Sequence, residues 1–420
     1  MNLDGLARCI KYLALIFVFV VVNGCEGLWS FEKLDTIPEG SPKTLRVAIL
    51  KGPFGQSSPQ GGLEHDYLYQ FSHDYGYQVS FISVSHQQDA ISLLKAGTVD
   101  IAAARLTTQD AYQYEVLTSP AYEESHLVKV CPRENKNGSE LPVKIFTGEA
   151  KSALKHLMLT KNHCLHVERR EADYYLRFFS TLQIVEETKP LSLGFYISPH
   201  RPEVQRLLFA WTQKSSRNRE IIRIKDRYYG HLYSLDRRDR VKFFRAIRDD
   251  LKPLLPLFKK AAHEYDIPWQ LIASVAFQES HWENDAESFT GVRGIMQITS
   301  DTAEHLGIED RTDIQQSIFG GAKYLRYLID NQPDFLHPRD RLALALASYN
   351  VGPGHVSDIQ KLAVEYGRSP YSWREIKTLL PYLSDPDYFE RMEYGQARGL
   401  EPISFVNRVM GYYELLTTKL

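Results

Sequence analysis

One glutamate in this sequence occupies a position where a helix would ordinarily place a core residue. Counting back from Glu279, Ile272, Val275 and Ala276 fall at i−7, i−4 and i−3, so the carboxyl group continues an apolar helix face. Burial against such a face disfavours the charged form, raises the pKa and keeps the group protonated near neutrality. That is the property of a general acid. Taken alone, a glutamate is more often one half of a structural ion pair, and its neighbours must decide. Asp266 and Pro268 are helix-start signals, Trp269 to Gln278 holds good helix formers, and Asn284 and Asp285 open the polar stretch that ends the run. Glu279 therefore belongs to the last turn or two of a helix.

Two other segments follow in order. Gly291-Val292-Arg293-Gly294-Ile295-Met296-Gln297-Ile298-Thr299 reads as a glycine-flexed turn, and Ala347-Ser348-Tyr349-Asn350-Val351-Gly352 ends a buried helix. With Gln278-Glu279-Ser280, these segments resemble the catalytic domain of the soluble lytic transglycosylase family, whose fold is lysozyme-like. Asp310-Arg311-Thr312-Asp313, Gln316-Ser317-Ile318, Gly320-Gly321-Ala322-Lys323-Tyr324-Leu325 and Tyr394-Gly395-Gln396-Ala397-Arg398-Gly399 extend the likeness.

Cleaving a glycosidic bond requires a proton on the leaving oxygen, and most glycosidases add a second carboxylate as nucleophile or base. Ser288 to Ser300 contains no Asp or Glu, and Glu283, Asp285 and Glu287 lie in a polar loop where solvation explains them. One carboxyl group is thus expected to act alone. The resemblance implies how: the N-acetyl group of muramic acid assists departure of the leaving sugar, and the same glutamate then activates the C6 hydroxyl. A 1,6-anhydromuramoyl end forms without water. By position in the family motifs, Glu279 is catalytic, and Ser280, Gly294, Met296, Gln297, Tyr349 and Asn350 line the glycan groove. Plain core packing is the alternative for Met296. The chain departs from the family at Phe405-Val406, where a tyrosine commonly precedes the valine.

The remaining chain frames this region. Fifty Lys+Arg against 52 Asp+Glu gives a formal charge of −2, which argues against nucleic acid as a partner. Arg8 and Lys11 precede an apolar run from Tyr12 to Val22, 11 residues long. In a helix that run reaches about 16 Å, short of a hydrocarbon core of roughly 30 Å, so residues 1–25 read as an export signal. Val21-Val22-Asn23-Gly24-Cys25 resembles a lipoprotein signal with Cys25 as the lipid-modified residue, and Glu26 after it is associated with the outer membrane. Export permits Cys131 and Cys164 to pair. No zinc signature is present: Ile267 stands where His263-Glu264 would need a second histidine, and His163, Cys164 and His166 are too few and too close. No metal and no cofactor are expected.

After a linker, residues 26–44, strand and helix signals alternate: Leu45 to Leu50, Gly62 to Tyr75, Tyr77 to Val84, Gln87 to Ala96 and Val99 to Ala104. This order predicts an α/β domain with a largely parallel sheet, and Pro202 to Tyr229 reads as helical. Leu45-Arg46-Val47-Ala48, Gly62-Leu63-Glu64-His65-Asp66, Leu94 to Ala104 and Thr118-Ser119-Pro120-Ala121-Tyr122 resemble an extracellular solute-binding domain of the amino-acid transporter type. The resemblance implies two lobes around a ligand cleft over residues 45–230, taking a small ligand or a muropeptide. The family's carboxylate-binding arginine is missing from Gln109-Asp110-Ala111-Tyr112; Arg105 is the residue that could serve in its place, and a regulatory or spacing domain without a ligand is the alternative. From Asp236 onward only helix patterns occur. Residues 231–250 are read as a connector and 251–420 as a mostly helical, lysozyme-like domain. The expected function is peptidoglycan cleavage at the periplasmic face of the outer membrane, by lyase chemistry. A peptidoglycan-binding sensor and a lysozyme-type hydrolase are the alternatives.

Overall fold

A computed structural model of the protein describes residues 43–55, 61–134, 141–144, 150–288 and 291–418. The export signal, Cys25 and nearly all of the 26–44 linker lie outside these residues.

The α/β region opens with β1 (Thr44–Leu50), α1 (Leu63–Asp74), β2 (Gln78–Val84), α2 (Gln87–Lys95) and β3 (Ile101–Thr107). β1 lies parallel to both β2 and β3, with Val47 opposite Phe81 on one side and Ile101 on the other. Leu45, Val47, Ala48 and Ile49 are all fully buried, so apart from the exposed Arg46 the strand reads as an apolar run, as expected where helices cover a parallel sheet. A short 3₁₀ turn at Thr108–Tyr114 leads to β4 (Leu117–Thr118) and β5 (Glu123–Pro132), then β6 (Val143–Lys144), α3 (Ala150–Thr160), β7 (Cys164–Glu168), α4 (Arg169–Tyr175) and β8 (Leu182–Ile197). β8 runs antiparallel to β3 and β4, so the sheet is mixed where a largely parallel one was expected. Strand direction across such a distance is not encoded locally. The expected helix over 202–229 is two, α5 (Pro202–Gln213) and α6 (Ser215–Tyr229), because Lys214 leaves helical geometry at ψ 128°.

The helical region comprises α7 (Arg237–Asp249), α8 (Leu251–Tyr265), α9 (Trp269–Ser280), α10 (Ser300–Leu306), α11 (Ile314–Asp330), α12 (Pro338–Val351), α13 (Pro353–Glu365), α14 (Trp373–Leu379), a 3₁₀ turn at Leu380–Ser384, α15 (Pro386–Phe389) and α16 (Glu401–Thr417). α9 is its axis. Every residue from Leu271 to Phe277 is buried, and α8, α11 and α16 all pack against the helix. A helix apolar on all sides is stable only when neighbours enclose it.

Two compact units divide the chain, and the boundary falls inside the α/β region. The first runs to Val128 and resumes at Glu187–Ile222; the second takes Lys129–Phe146, Ala150–Glu186 and Arg223–Leu420. Within the second unit, residues 231–250 do not behave as a connector. Phe243 packs on Phe277 and Tyr412 at ring separations of 4.6 and 4.5 Å, Ser234 Oγ donates to the Asn407 carbonyl at 2.9 Å, and Arg408 reaches Asp239 through two nitrogens at 2.9 and 2.7 Å. Charge on the outer face of α7 gives it the look of a linker, while Phe243 and Ala246 supply its buried face.

Cys131 and Cys164 form a disulfide between β5 and β7 across a sequence separation of 33 residues. Closing a loop of that length restricts the unfolded chain and is worth about 3–4 kcal/mol. Replacing both cysteines by serine is expected to lower unfolding stability by about that amount in urea titration, and adding reductant to the native chain should reproduce the loss.

Candidate active site

The site is assembled at the C-terminal end of α9. His281 and Trp282 take left-handed backbone angles, φ 56° and 68°, and reverse the chain directly after Glu279 and Ser280. Non-glycine residues hold such angles only when their surroundings fix them. Here the Trp282 indole N–H donates to the Ala273 carbonyl at 2.8 Å, and its ring packs against Phe277 at 5.0 Å. The helix end is therefore clamped from the side. Glu279 is half-buried at this end, and its carboxyl group has no hydrogen bond or ion pair among the described residues. Burial alone pushes its pKa up to about 8. A second carboxylate nearby would add its own repulsion, and none contributes.

The glycine-flexed turn closes over this point. At φ 91° Gly294 occupies a conformation that L side chains rarely adopt, and a Cβ there would lie 2.0 Å from the Arg311 carbonyl oxygen. Three side-chain donors hold the turn by its carbonyl groups. Ser280 Oγ donates to Ile295 O at 2.8 Å, Tyr349 Oη to Met296 O at 2.9 Å, and Arg311 Nη1 to Ile298 O at 3.1 Å. The Met296 N–H donates to Ser317 Oγ at 3.3 Å. Tyr349 is flanked by Tyr324, 5.4 Å away, and by Phe405, stacked at 6.2 Å with 7° between the planes. Burial first, and then the neighbouring Glu279, hold the Tyr349 hydroxyl well above its ordinary pKa. It stays protonated and remains a donor.

The residues expected at the site are thus brought together, though in different roles. Tyr349 donates to the turn and feels the charge of Glu279. Asn350 is exposed beside it, and Gln297 is half-buried, with Nε2 donating to the Ala286 and Gly294 carbonyls at 3.0 and 2.9 Å. Ser280 and Met296 correct the expectation that they line a groove. Ser280 is 3% exposed with its hydroxyl spent on backbone carbonyls, and Met296 is fully buried. The Met296 side chain packs on Gly321, where a Cβ would come within 2.5 Å of its Cε. Gly294 acts through its backbone. Glu283, Asp285 and Glu287 are all exposed, and Glu287 pairs with Arg293 at 2.8 Å.

Three contributors were not legible as site residues. Tyr324 and Ser317 project from α11, and their spacing reads only as core. Arg408 donates to Gln278 Oε1 at 2.9 Å and so braces the residue next to Glu279 from α16.

An unpartnered acid on a buried helix, a carbonyl-pinned turn and a protonated tyrosine define a transglycosylase-type site, set in a chain that also carries an α/β ligand-binding fold. Family models agree with both parts. The Transglycosylase SLT domain matches residues 256–371, and the bacterial extracellular solute-binding proteins, family 3, match residues 45–231. A protein of Alkalilimnicola ehrlichii named membrane-bound lytic murein transglycosylase F 2 is 31% identical over 82% of this chain and 84% of its own length. Proteins named membrane-bound lytic murein transglycosylase F from Histophilus somni and Shewanella denitrificans are 28% and 29% identical over 95% and 97% of this chain, and over 94% and 89% of their own. An ancestral arginine-binding protein bound to arginine covers 45% of this chain and 99% of its own at 17% identity and a TM-score of 0.39. The chain belongs to the membrane-bound lytic murein transglycosylase F family.

The raised pKa of Glu279 makes a stability prediction with a fixed sign. In the unfolded chain the group ionises near 4.5, whereas the folded protein keeps it protonated up to about 8. Its contribution is fully present below the lower value and is lost as pH rises through the upper one. Glu279→Gln should therefore gain on the native chain between these limits, by on the order of 1–3 kcal/mol at pH 9 in urea unfolding, with little difference at pH 4.

Proposed function

We propose that this chain is a peptidoglycan lytic transglycosylase in which Glu279 performs both proton transfers. The observation that carries the reading is the isolation of that carboxyl group: burial alone raises its pKa to about 8, with no second carboxylate beside it. Protonated near neutrality, Glu279 donates to the glycosidic oxygen between N-acetylmuramic acid and N-acetylglucosamine. The carboxylate so formed then takes the proton of the muramoyl C6 hydroxyl, which closes onto C1 as a 1,6-anhydro ring. No water enters, and the carboxyl group ends as it began. Tyr349 orients the substrate's N-acetyl group or Glu279 itself, Asn350 and Gln297 contact the glycan, and Ser280, Gly294 and Met296 shape the turn from behind.

The remaining assignments follow the family. Residues 45–230 form a solute-binding-like domain that takes a small ligand or muropeptide, and the lysozyme-like domain continues to residue 420. Relatives carry the name membrane-bound, and among the described residues no helix is long and apolar enough to cross a membrane. A lipid on Cys25 at the periplasmic face of the outer membrane reconciles the two.

Digestion of purified peptidoglycan followed by mass analysis of the fragments tests the reaction. Anhydromuramoyl ends that vanish in Glu279→Gln are expected. Reducing ends instead would indicate a hydrolase, and no fragments a binding protein. The rate should fall as pH rises through about 8, where Glu279 loses its proton. Phe405→Tyr returns the family's hydroxyl to the ring stacked on Tyr349 and should raise kcat with the products unchanged.

A further inference from the structure

We propose that Tyr394 is a sugar-stacking subsite of the glycan groove, placed at the helix junction that follows Asn350; the inference rests on the peptidoglycan reading above. Tyr394 combines two properties that rarely occur together. Its side chain is 54% exposed, yet its position is firmly fixed. The backbone N–H donates to Asp358 Oδ2 at 2.8 Å, and Asp358 is only 4% exposed. Lys361 ties that same carboxylate, at 3.4 Å, to Glu393 at 2.7 Å, the residue just before the tyrosine. The ring itself rests on Gly354. A Cβ at that position would lie 2.4, 2.5 and 2.6 Å from ring atoms Cδ1, Cε1 and Cγ, so only glycine lets the ring come so close. His355 approaches as well, with centroids 6.2 Å apart and the planes at 66°.

Gly354 stands four residues past Asn350, in the first turn of α13. The two helices α12 and α13 meet at Gly352, so the tyrosine is placed by the same junction that ends the catalytic Tyr349-Asn350 segment. The ring is seated on Gly354, and more than half of Tyr394 remains open to solvent. Holding an apolar ring still without burying it gains little for the fold, whereas it prepares a flat surface for a flat ligand. A pyranose is such a ligand: the axial C–H groups form an apolar face, and the hydroxyl and N-acetyl groups at the rim remain hydrated. The junction it shares with the Tyr349-Asn350 segment points to a sugar of the glycan strand over the peptide stem.

The test uses the full chain with peptide-free glycan strands in two assays. Steady-state kinetics should show KM raised roughly five- to tenfold by Tyr394→Ala with kcat little changed, while Tyr394→Phe, which keeps the ring, stays near the native value. Equilibrium binding to Glu279→Gln, with and without Tyr394→Ala, should show the same loss in Kd. If the alanine variant does not fold, Tyr394→Leu keeps an apolar filler over Gly354 and carries the same expectation. Unchanged KM and Kd in the folded variant overturn the subsite while leaving the transglycosylase reading intact. An equal loss in Tyr394→Phe also overturns it, because the hydroxyl and not the ring face would then be responsible. Should the native chain yield no anhydromuramoyl ends, the function fails, and the binding assay still decides the subsite.

Discussion

A carboxylic acid keeps its proton at neutral pH only where water is held off and no cation is offered in its place. Glu279 meets both conditions, and much of the helical region can be traced to them. The helix that carries it is enclosed from Leu271 to Phe277, so the carboxyl group emerges from the core already largely desolvated. No cation contributes to its pKa, and three arginines of the neighbouring segments have other partners: Arg408 has Asp239 and Gln278, Arg293 has Glu287, and Arg311 a backbone carbonyl. A guanidinium released from any of these pairings toward Glu279 would lower its pKa and remove the acid.

The turn facing Glu279 shows how a flexible sequence is made rigid without regular structure. Glycine is needed at residue 294 because another backbone lies against it, and flexibility there would scatter the substrate contacts. Side-chain donors from separate elements prevent this by taking the carbonyls one by one. Tyr349 does so from α12 while also standing next to Glu279, so the acid and the turn share one spacer. That arrangement gives catalytic groups fixed relative positions although they lie about 70 residues apart, which is what pre-organisation requires.

Sequence disclosed the parts of this site whose signals are local. The phase of Glu279 on its helix, the absence of carboxylates between Ser288 and Ser300, and the order of strand and helix in the α/β region all depend on near neighbours. Ser280 and Met296 were placed in the groove by their position in the family motifs, with core packing the alternative for Met296; only the packing of α9 and α11 shows that Ser280 turns inward and that Met296 takes that alternative. The direction of β8 and the pairing of Cys131 with Cys164 depend on chain segments far apart, and local pattern is silent about both. α7, read as part of a connector, carries mostly charged residues, yet Asp239 is held by Arg408 of α16 and Phe243 packs on Phe277 and Tyr412.

α16 has a further property. Arg408, near its middle, is held by Asp239, and Glu414, near its end, lies 2.8 Å from His231 and from Arg177. Burial would raise the pKa of Glu414, but His231, Arg177 and Arg339 outweigh it and hold the carboxyl well below the usual range. The recognisable transglycosylase match stops at residue 371, short of this helix, and begins at 256, after Asp239 and His231. The domain model is therefore shorter than what folds as a unit. A fragment trimmed to the matched borders would strip α9 of its principal cover and leave the acid open to water, so the natural limits of this catalyst are set by its packing and not by its signature.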